Sequence, residues 1–409
     1  MYLYNIPKIV FFAFALTVLS GCKEKKVVKT PVLKQNNSIA IDKQLPHRID
    51  SCLKRQHPLE KTGIFVYDIT AGKPVYGYHE NSFMPTASCM KLLTGTAAIH
   101  LLGPNYKFDT KLFFKGHVKD HALNGDVTFK AGLDPQFEPT ELRLFANNLK
   151  KRGISKINGK VWVDLVMNDA LKPEPHWYPG DLSVSRFSLF FKGSKRISNE
   201  LKACLRGQGI SFTDSNVIVG RMPKGSKCLF VYRRSMDKVI YRMWKNSSNI
   251  QSTSLLYAIG NKVNPKISPD KSGVSYLRRF VLSEIGRKDK WGNIHDGCGL
   301  CPYNQLTPSL LVSVLQYGYN DKVIFKKMNA FLPLSGVDGS LHHEMTSGPA
   351  RGKIRAKTGT LSHPFGISTL SGFCKGQNGH QLCFSIMNSE MSVLDAHVTQ
   401  RKLCEEFVK

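Results

Sequence analysis

Three short motifs lie in one order along this chain, and roughly 155 residues separate Lys91 in the first from Ser247 in the second. They are Ser88-Cys89-Met90-Lys91, Ser247-Ser248-Asn249 and Lys357-Thr358-Gly359. If they work together, stretches far apart in the chain must fold into a single cleft. The expected architecture is therefore two sequence-distant halves sharing one sheet, with the residues between the first two motifs forming an insertion.

Each motif alone carries little information. The S-x-x-K spacing also occurs at Ser20, Ser51, Ser235 and Ser268, and a second Lys-Thr-Gly stands at Lys61-Thr62-Gly63. That copy precedes every candidate nucleophile and opens a strand pattern, so it reads as a decoy. In isolation an S-x-x-K is a helix N-cap serine followed by a solvated lysine. A Ser-Ser-Asn triplet is a plain loop, and a strand lysine is an exposed one. Order and flanking residues separate signal from background.

Taken together the residue types name a chemistry. Ser88 opens a helical pattern that runs to Leu102 and stops at Gly103-Pro104. A hydroxyl at the first turn of a helix lies near the positive end of the helix dipole, which favours a developing oxyanion. Lys91, three residues on, shares that face at about 5–6 Å between Cβ atoms. A lysine serves as a base near neutral pH only if burial or a second cation depresses its pKa, and Lys357 is the expected second cation. Ser247 offers a hydroxyl relay to a leaving amine, and Asn249 an amide to hold substrate. Lys357 and Thr358 can clamp a carboxylate. Gly359 permits close backbone approach, and the strand edge can pair with an extended peptide. The Thr360 amide, with that of Ser88, can form an oxyanion hole.

Coarse patterning supports this outline. Strands are expected at Ile64–Ile69 and Pro74–Tyr78, and a terminal β-rich stretch at 353–361, 368–374 and 381–388 before a helix from Val393 to Phe407. Further helices are expected at Met236–Trp244 and Pro308–Tyr317. Between Phe113 and Arg233 short strands and many turn residues predict a smaller β-rich inserted domain. The expected organisation is 1–22 signal peptide, 23–43 tether, 44–112 with 234–409 catalytic, and 113–233 inserted.

The N-terminus sets the compartment. Lys8 precedes an apolar run from Ile9 to Leu19, followed by Leu19-Ser20-Gly21-Cys22. The run is short for a membrane span and reads as a secretory signal. Leu-Ser-Gly-Cys resembles a bacterial lipobox, which implies cleavage before Cys22 and lipid attachment to its thiol. An uncleaved anchor helix is the alternative. Either way the body lies outside the cytoplasm, on the periplasmic side of the cell envelope. The ten cysteines fit an oxidising compartment. Cys374 with Cys383 across a hairpin, and Cys204 with Cys228, are pairing candidates, and Cys89 is the expected free thiol. The net charge of +28 favours anionic surfaces, whether lipid headgroups or wall polymers, or simply keeps the surface soluble. Nucleic acid is disfavoured because no finger, RNP or basic-heptad pattern accompanies the charge. Neither His342-His343-Glu344 nor the lone Cys298-x-x-Cys301 completes a metal set, so no metal or cofactor is expected.

The motif set is that of penicillin-binding proteins and class A β-lactamases. Flanking segments narrow it: Val66-Tyr67-Asp68 through Gly72, Pro85-Thr86-Ala87-Ser88, Leu101-Leu102-Gly103-Pro104, Gly132-Leu133-Asp134-Pro135, Asp296-Gly297-Cys298-Gly299-Leu300, Leu332-Pro333 with Gly336-Val337-Asp338-Gly339, and Lys357 to Leu361. In this order, from about Gly63 to near the C-terminus, they resemble D-alanyl-D-alanine carboxypeptidases of the DacB type, peptidase family S13, class C low-molecular-mass penicillin-binding proteins. The resemblance implies an α/β (α+β) transpeptidase-like domain carrying an insertion. It also implies removal of terminal D-alanine from peptidoglycan stem peptides, often with endopeptidase cleavage, and acylation by β-lactams. By carry-over Ser88 is the nucleophile, Lys91 its base, Ser247 and Asn249 position and relay, and Lys357 binds the carboxylate. The chain departs from the family pattern at Ser248, at Ser252-Thr253, and at Cys298 and Cys301, where serines are usual.

Two other readings stand beside this one. A β-lactamase needs fast deacylation, commonly through a glutamate-activated water, and no Glu-x-x-Leu-Asn pattern lies between the first two motifs. A lipid-tethered wall-binding or β-lactam-sensing protein without turnover would keep the fold and lose the reaction.

Overall fold

The computed structural model describes residues 40–55, 60–178, 186–289 and 292–409. The signal, lipobox Cys22 and most of the tether therefore lie outside the described residues. Everything described falls in one compact unit, Val32–Lys409.

The chain begins with helix α1 (Leu45–Leu53) and a hairpin of β1 (Thr62–Asp68) and β2 (Lys73–Tyr78). A short strand β3 (Met84–Pro85) leads through a 3-10 turn, Ala87–Cys89, into helix α2 (Met90–Leu102). The middle region holds β4 (Lys107–Lys119), β5 (Ala122–Lys130), α3 (Leu142–Lys150), β6 (Lys156–Ile157), β7 (Val161–Asp164), α4 (Ser194–Gly207), β8 (Val217–Val219) and β9 (Lys227–Ser235). Helices α5 (Met236–Lys245), α6 (Asn249–Val263) and α7 (Pro269–Ser283) follow. After β10 (Gly292–Asn293) and β11 (Gln305–Leu306) come α8 (Pro308–Asn320) and α9 (Lys322–Phe331). The chain closes with β12 (Arg355–Leu361), β13 (Ile367–Lys375), β14 (Gln381–Ser389) and α10 (Val393–Val408).

The main sheet has the order β12-β13-β14-β1-β2 and is antiparallel throughout. The β1–β14 seam, with Ile64 opposite Ile386, joins the two ends of the chain. Strand alternation sends residues to two cores. Ile64, Leu370 and Phe384 pack with Leu45 and Ile49 of α1 and Leu403 and Phe407 of α10. Phe373, Cys383 and Met387 face the cluster built by α2, α6 and α8. Helix α2 is buried along almost its whole length, as expected of a helix apolar on all sides. Gly95 makes that possible, since a Cβ there would stand 2.5 Å from Trp244 of α5.

The middle region forms its own sheet, β8-β7-β5-β4-β9, with β6 beside β5. The antiparallel ribbon of β4 and β9 begins at Lys107 and ends at Ser235, so it crosses the expected boundaries at 113 and 233. The region also carries α3 and α4, packed through Phe145, Leu149, Ile197 and Leu201. It is tied to α6 by the Ser254 hydroxyl, which donates to Leu133 O.

The cysteine expectations need correction. Cys374 pairs in register with Leu382 and Cys383 with Phe373, so the two thiols fall on opposite faces of the sheet. All nine described cysteines, including Cys204 and Cys228, are free thiols.

Candidate active site

The nucleophile turn is built by short contacts from several segments. Ala87, just ahead of Ser88, sits in the left-handed region at φ 40°, a conformation that costs a non-glycine residue roughly 1–2 kcal/mol. It is held there by hydrogen bonds from Thr86 N to Asn304 O at 3.0 Å and from Thr369 Oγ1 to Thr86 O at 2.9 Å. The Cys89 thiol, fully buried, donates to Lys357 O at 3.2 Å, which fastens the turn to β12. The Ser88 side chain remains partly accessible.

Lys91 lies one turn further along α2 with no exposed surface. Its Nζ donates to Ser88 Oγ at 2.6 Å, to Asn249 Oδ1 at 2.6 Å and to Cys298 O at 2.5 Å. Three donors meet three acceptors, the full capacity of an ammonium. Trp244 Nε1 donates to Lys91 O at 2.8 Å. Burial lowers the Lys91 pKa to about 8, against the opposing pull of Cys298, Asp296 and Cys89.

Lys357 is equally buried, on the edge strand β12. Its Nζ donates to Ser247 Oγ at 2.8 Å and to Thr358 O at 2.6 Å. Burial, then the neighbouring Lys91 ammonium, lower its pKa to about 7. The repulsion between the two ammoniums is mutual, so each lysine is the second cation for the other.

The second motif occupies the joint between α5 and α6. Ser248 N donates to Arg242 O at 3.2 Å, closing α5, and Asn249 is the first residue of α6. Ser247 takes the left-handed conformation at φ 57°, which turns the chain sharply between the two helices. The joint brings Ser247 Oγ to Lys357 and Asn249 Oδ1 to Lys91.

The remaining third-motif residues divide. Gly359 lies against the nucleophile turn, where a Cβ would meet Ser88 N at 2.8 Å. Thr360 is exposed. Thr358 lies opposite Leu370, so strand alternation puts it on the sheet face away from Lys357. Its hydroxyl meets Ser340 Oγ at 2.6 Å. The other Lys-Thr-Gly stands apart from the cluster: Lys61 is exposed and pairs with Glu390 at 3.5 Å.

One residue that the motif reasoning passed over organises the site. Asp296 is buried, and its Oδ1 accepts from Cys298 N (2.9 Å), Gly299 N (2.6 Å) and Asn304 Nδ2 (2.9 Å). Its Oδ2 accepts from Cys301 N (2.8 Å) and Trp177 Nε1 (2.7 Å). The loop winds around its own carboxylate and so presents Cys298 O to Lys91. Thr94 Oγ1 and Ser252 Oγ each donate to Gly297 O at 2.6 Å. Gly299, at φ 83°, packs where a Cβ would stand 1.7 Å from Ala87 O. An aspartate followed by Gly-x-Gly is an Asx-turn signal, so the loop, though not its partner, was readable. A cavity of about 650 Å³ lies behind it, lined by Trp177, Thr253, Tyr257 and Asp296.

Comparison with known proteins places the chain in a family. The chain is 23% identical to the D-alanyl-D-alanine carboxypeptidase DacB of Haemophilus influenzae over 406 residues, 79% of this chain and 84% of that protein. It is 21% identical over 429 residues to the D-alanyl-D-alanine carboxypeptidase of Actinomadura sp. (80% and 77%). Crystalline penicillin-binding protein 4 from H. influenzae superposes with a TM-score of 0.75 at 20% identity, over 88% of this chain and 99% of that one. A predatory peptidoglycan endopeptidase from Bdellovibrio bacteriovorus superposes with a TM-score of 0.57 at 17% identity (83% and 90%). These structural likenesses establish the penicillin-binding-protein fold. The family model for D-Ala-D-Ala carboxypeptidase 3 matches residues 45–189 and 183–406, nearly the whole described chain, and the chain belongs to this family, S13.

Proposed function

We propose that this D-Ala-D-Ala carboxypeptidase works through an acyl-enzyme on Ser88. The observation that carries the reading is the meeting of Lys91 Nζ with Ser88 Oγ, Asn249 Oδ1 and Cys298 O, beside a second buried lysine on Ser247. In this reading neutral Lys91 takes the Ser88 proton as Oγ attacks the carbonyl of the penultimate D-alanine. The Ser88 and Thr360 amides hold the oxyanion. Ser247, hydrogen-bonded to Lys357, passes a proton to the departing D-alanine amine. Lys357 attracts the substrate carboxylate, and the Ser340–Thr358 hydroxyl pair lines the same strand. Asn249 fixes Lys91. Stem peptides, extended along the open edge of β12, are the substrates, cross-linked ones included.

β-Lactams acylate the same serine, and deacylation is slow. Among the described residues the side-chain hydrogen bonds of Ser88 and Lys91 reach no carboxylate, so the glutamate-activated water of a fast β-lactamase has no counterpart here. The lipobox reading adds attachment through Cys22 to a membrane on the periplasmic side. Membrane fractionation of a Cys22→Ala variant tests that part. Product analysis on purified muropeptides tests the rest: wild type releases D-alanine and binds labelled penicillin stably, and Ser88→Ala does neither. Retained release by Ser88→Ala refutes the assignment.

A further inference from the structure

Outside the serine–lysine cluster, four side chains of metal-ligand type converge where the sequence predicts no metal. Glu174, His176, His295 and Cys301 offer one donor atom each, and these atoms all lie within 4.8 Å of one another. Glu174 Oε1 stands 2.7 Å from His176 Nδ1 and 3.8 Å from His295 Nδ1. Cys301 is buried, His176 exposed, and the other two intermediate, so the cluster is closed on the protein side and open to solvent for entry.

We propose that these four residues form a zinc site that pins the 174–177 strap to the loop carrying Cys298 O. The donor set decides the metal class. One thiolate, two imidazoles and one carboxylate suit a tetrahedral, borderline-soft cation, while magnesium and calcium require oxygen ligands. Donors around a tetrahedral zinc are about 3.3–3.8 Å apart, so the observed spread closes by movements of about 1 Å. Binding breaks the Cys301 S–H bond and forms a sulfur–zinc bond, releasing the proton to solvent, and the Nδ1 proton that His176 donates to Glu174 Oε1 moves to Nε2 as Nδ1 takes the zinc. Coordination at His295 Nδ1 moves that ring's proton to Nε2, now 3.0 Å from Asn293 Nδ2. The Asn293 Oδ1 is held by Ile294 N at 3.0 Å and by Arg278 Nη2 at 3.2 Å, so its Nδ2 must swing away from the protonated Nε2 when the metal binds.

Two observations give the site a purpose. The strap is already fastened next to it, through Trp177 Nε1 on Asp296 Oδ2. Cys301 N donates to the same carboxylate oxygen, and the loop it closes supplies the Cys298 carbonyl to Lys91. A cation at the cluster would lock both segments at once, from outside the reacting groups.

The test is zinc titration of the full chain, stripped by chelator and kept reduced, against a competing indicator, with magnesium as control. Wild type is expected to bind one equivalent of zinc and no magnesium, and its melting temperature should rise with zinc. Cobalt substituted for zinc should give a thiolate charge-transfer band together with tetrahedral visible absorption. His176→Ala, an exposed change that leaves the fold intact, should weaken binding at least about tenfold, and Cys301→Ser should abolish the thiolate band. Melting curves of both variants without metal establish that they are folded. Equal zinc affinity in wild type and His176→Ala, a cobalt spectrum without thiolate character, or no zinc-dependent rise in melting temperature overturns the proposal.

Discussion

Gly359→Ala is the sharpest single probe of the cleft. A Cβ at this position would stand 2.2 Å from Thr369 Oγ1, 2.8 Å from Ser88 N and 2.9 Å from Ala87 Cβ. Carbon–carbon contact is comfortable only beyond about 3.5 Å, so the Ala87 contact alone demands a shift of about 0.6 Å. Thr369 can rotate away, but it then gives up its 2.9 Å hydrogen bond to Thr86 O, which helps hold the strained turn. Either β12 retreats from Ser88 or the turn does. Both movements separate the Ser88 amide from Thr360, and a retreat of β12 also pulls Lys357 from Ser247. A misplacement near 1 Å costs about 100-fold in rate, or about 2.7 kcal/mol of activation free energy. Overpacking costs about 1–3 kcal/mol of stability, which leaves a folded protein. The assay is the second-order rate of acylation by a fluorescent penicillin, paired with a melting curve. A folded variant acylated within about threefold of wild type would refute the geometry, because a steric insertion at the nucleophile amide would then have had no effect on it.

Further changes test other parts. Asp296→Ala leaves three buried backbone N–H groups without their acceptor; at about 1–3 kcal/mol each, the melting temperature and penicillin acylation should both fall steeply. Penicillin acylation by wild type should rise with pH through about 7 to 8, as the lysine pair gives up a proton, and a flat profile over that range would count against Lys91 as base. The two lysines also tie stability to pH. Their folded pKa values lie below the unfolded 10.5, so the unfolded chain binds more protons across this range and stability rises with pH. Against Lys91→Met, wild type should gain on the order of 3 kcal/mol between pH 7 and 10.5, measured by denaturant unfolding.

The elements legible in the sequence are those whose pattern and punctuation agree. The β1–β2 hairpin, α2 with its Gly103 stop, α5 ahead of Ser247, and the β12–β14 run with α10 all fall within a few residues of expectation. The helices missed are those whose apolar stripe is narrow. In α4 only Ile197, Leu201 and Leu205 are buried, among serines, lysines and arginines, and that composition reads as loop. The ribbon of β4 and β9 was missed because its far ends are exposed and polar, so alternation fades where the strands continue. Thr358 and the Cys374–Cys383 pair show a second limit. Motif spacing names neighbours in the chain, but the pleat decides which face each one takes, and a one-residue offset in register reverses it. Asp296 marks a third. Its role is made by backbone N–H groups that folding curls around it, and the Asp-Gly-x-Gly pattern signals the turn but not the lysine that the loop serves.

The two lysines explain why the site needs three distant segments. A single buried ammonium costs several kcal/mol unless oxygens surround it, and two side by side repel. The chain supplies Lys91 with three oxygen acceptors and Lys357 with two. In the free enzyme the pair therefore gives up a proton near neutral pH, since burial lowers both pKa values and the two cations repel each other. A substrate carboxylate arriving at Lys357 fixes the remaining proton there, since an adjacent negative charge favours the ammonium form. That cation then presses on Lys91, and the proton deficit falls on the amine that touches Ser88 Oγ. On this argument the ligand's carboxylate does more than dock, because it activates the base. Penicillin with that carboxylate masked as an amide should accordingly lose acylation rate through kinact as well as affinity, and an equal loss in affinity alone would break the link between the two lysines.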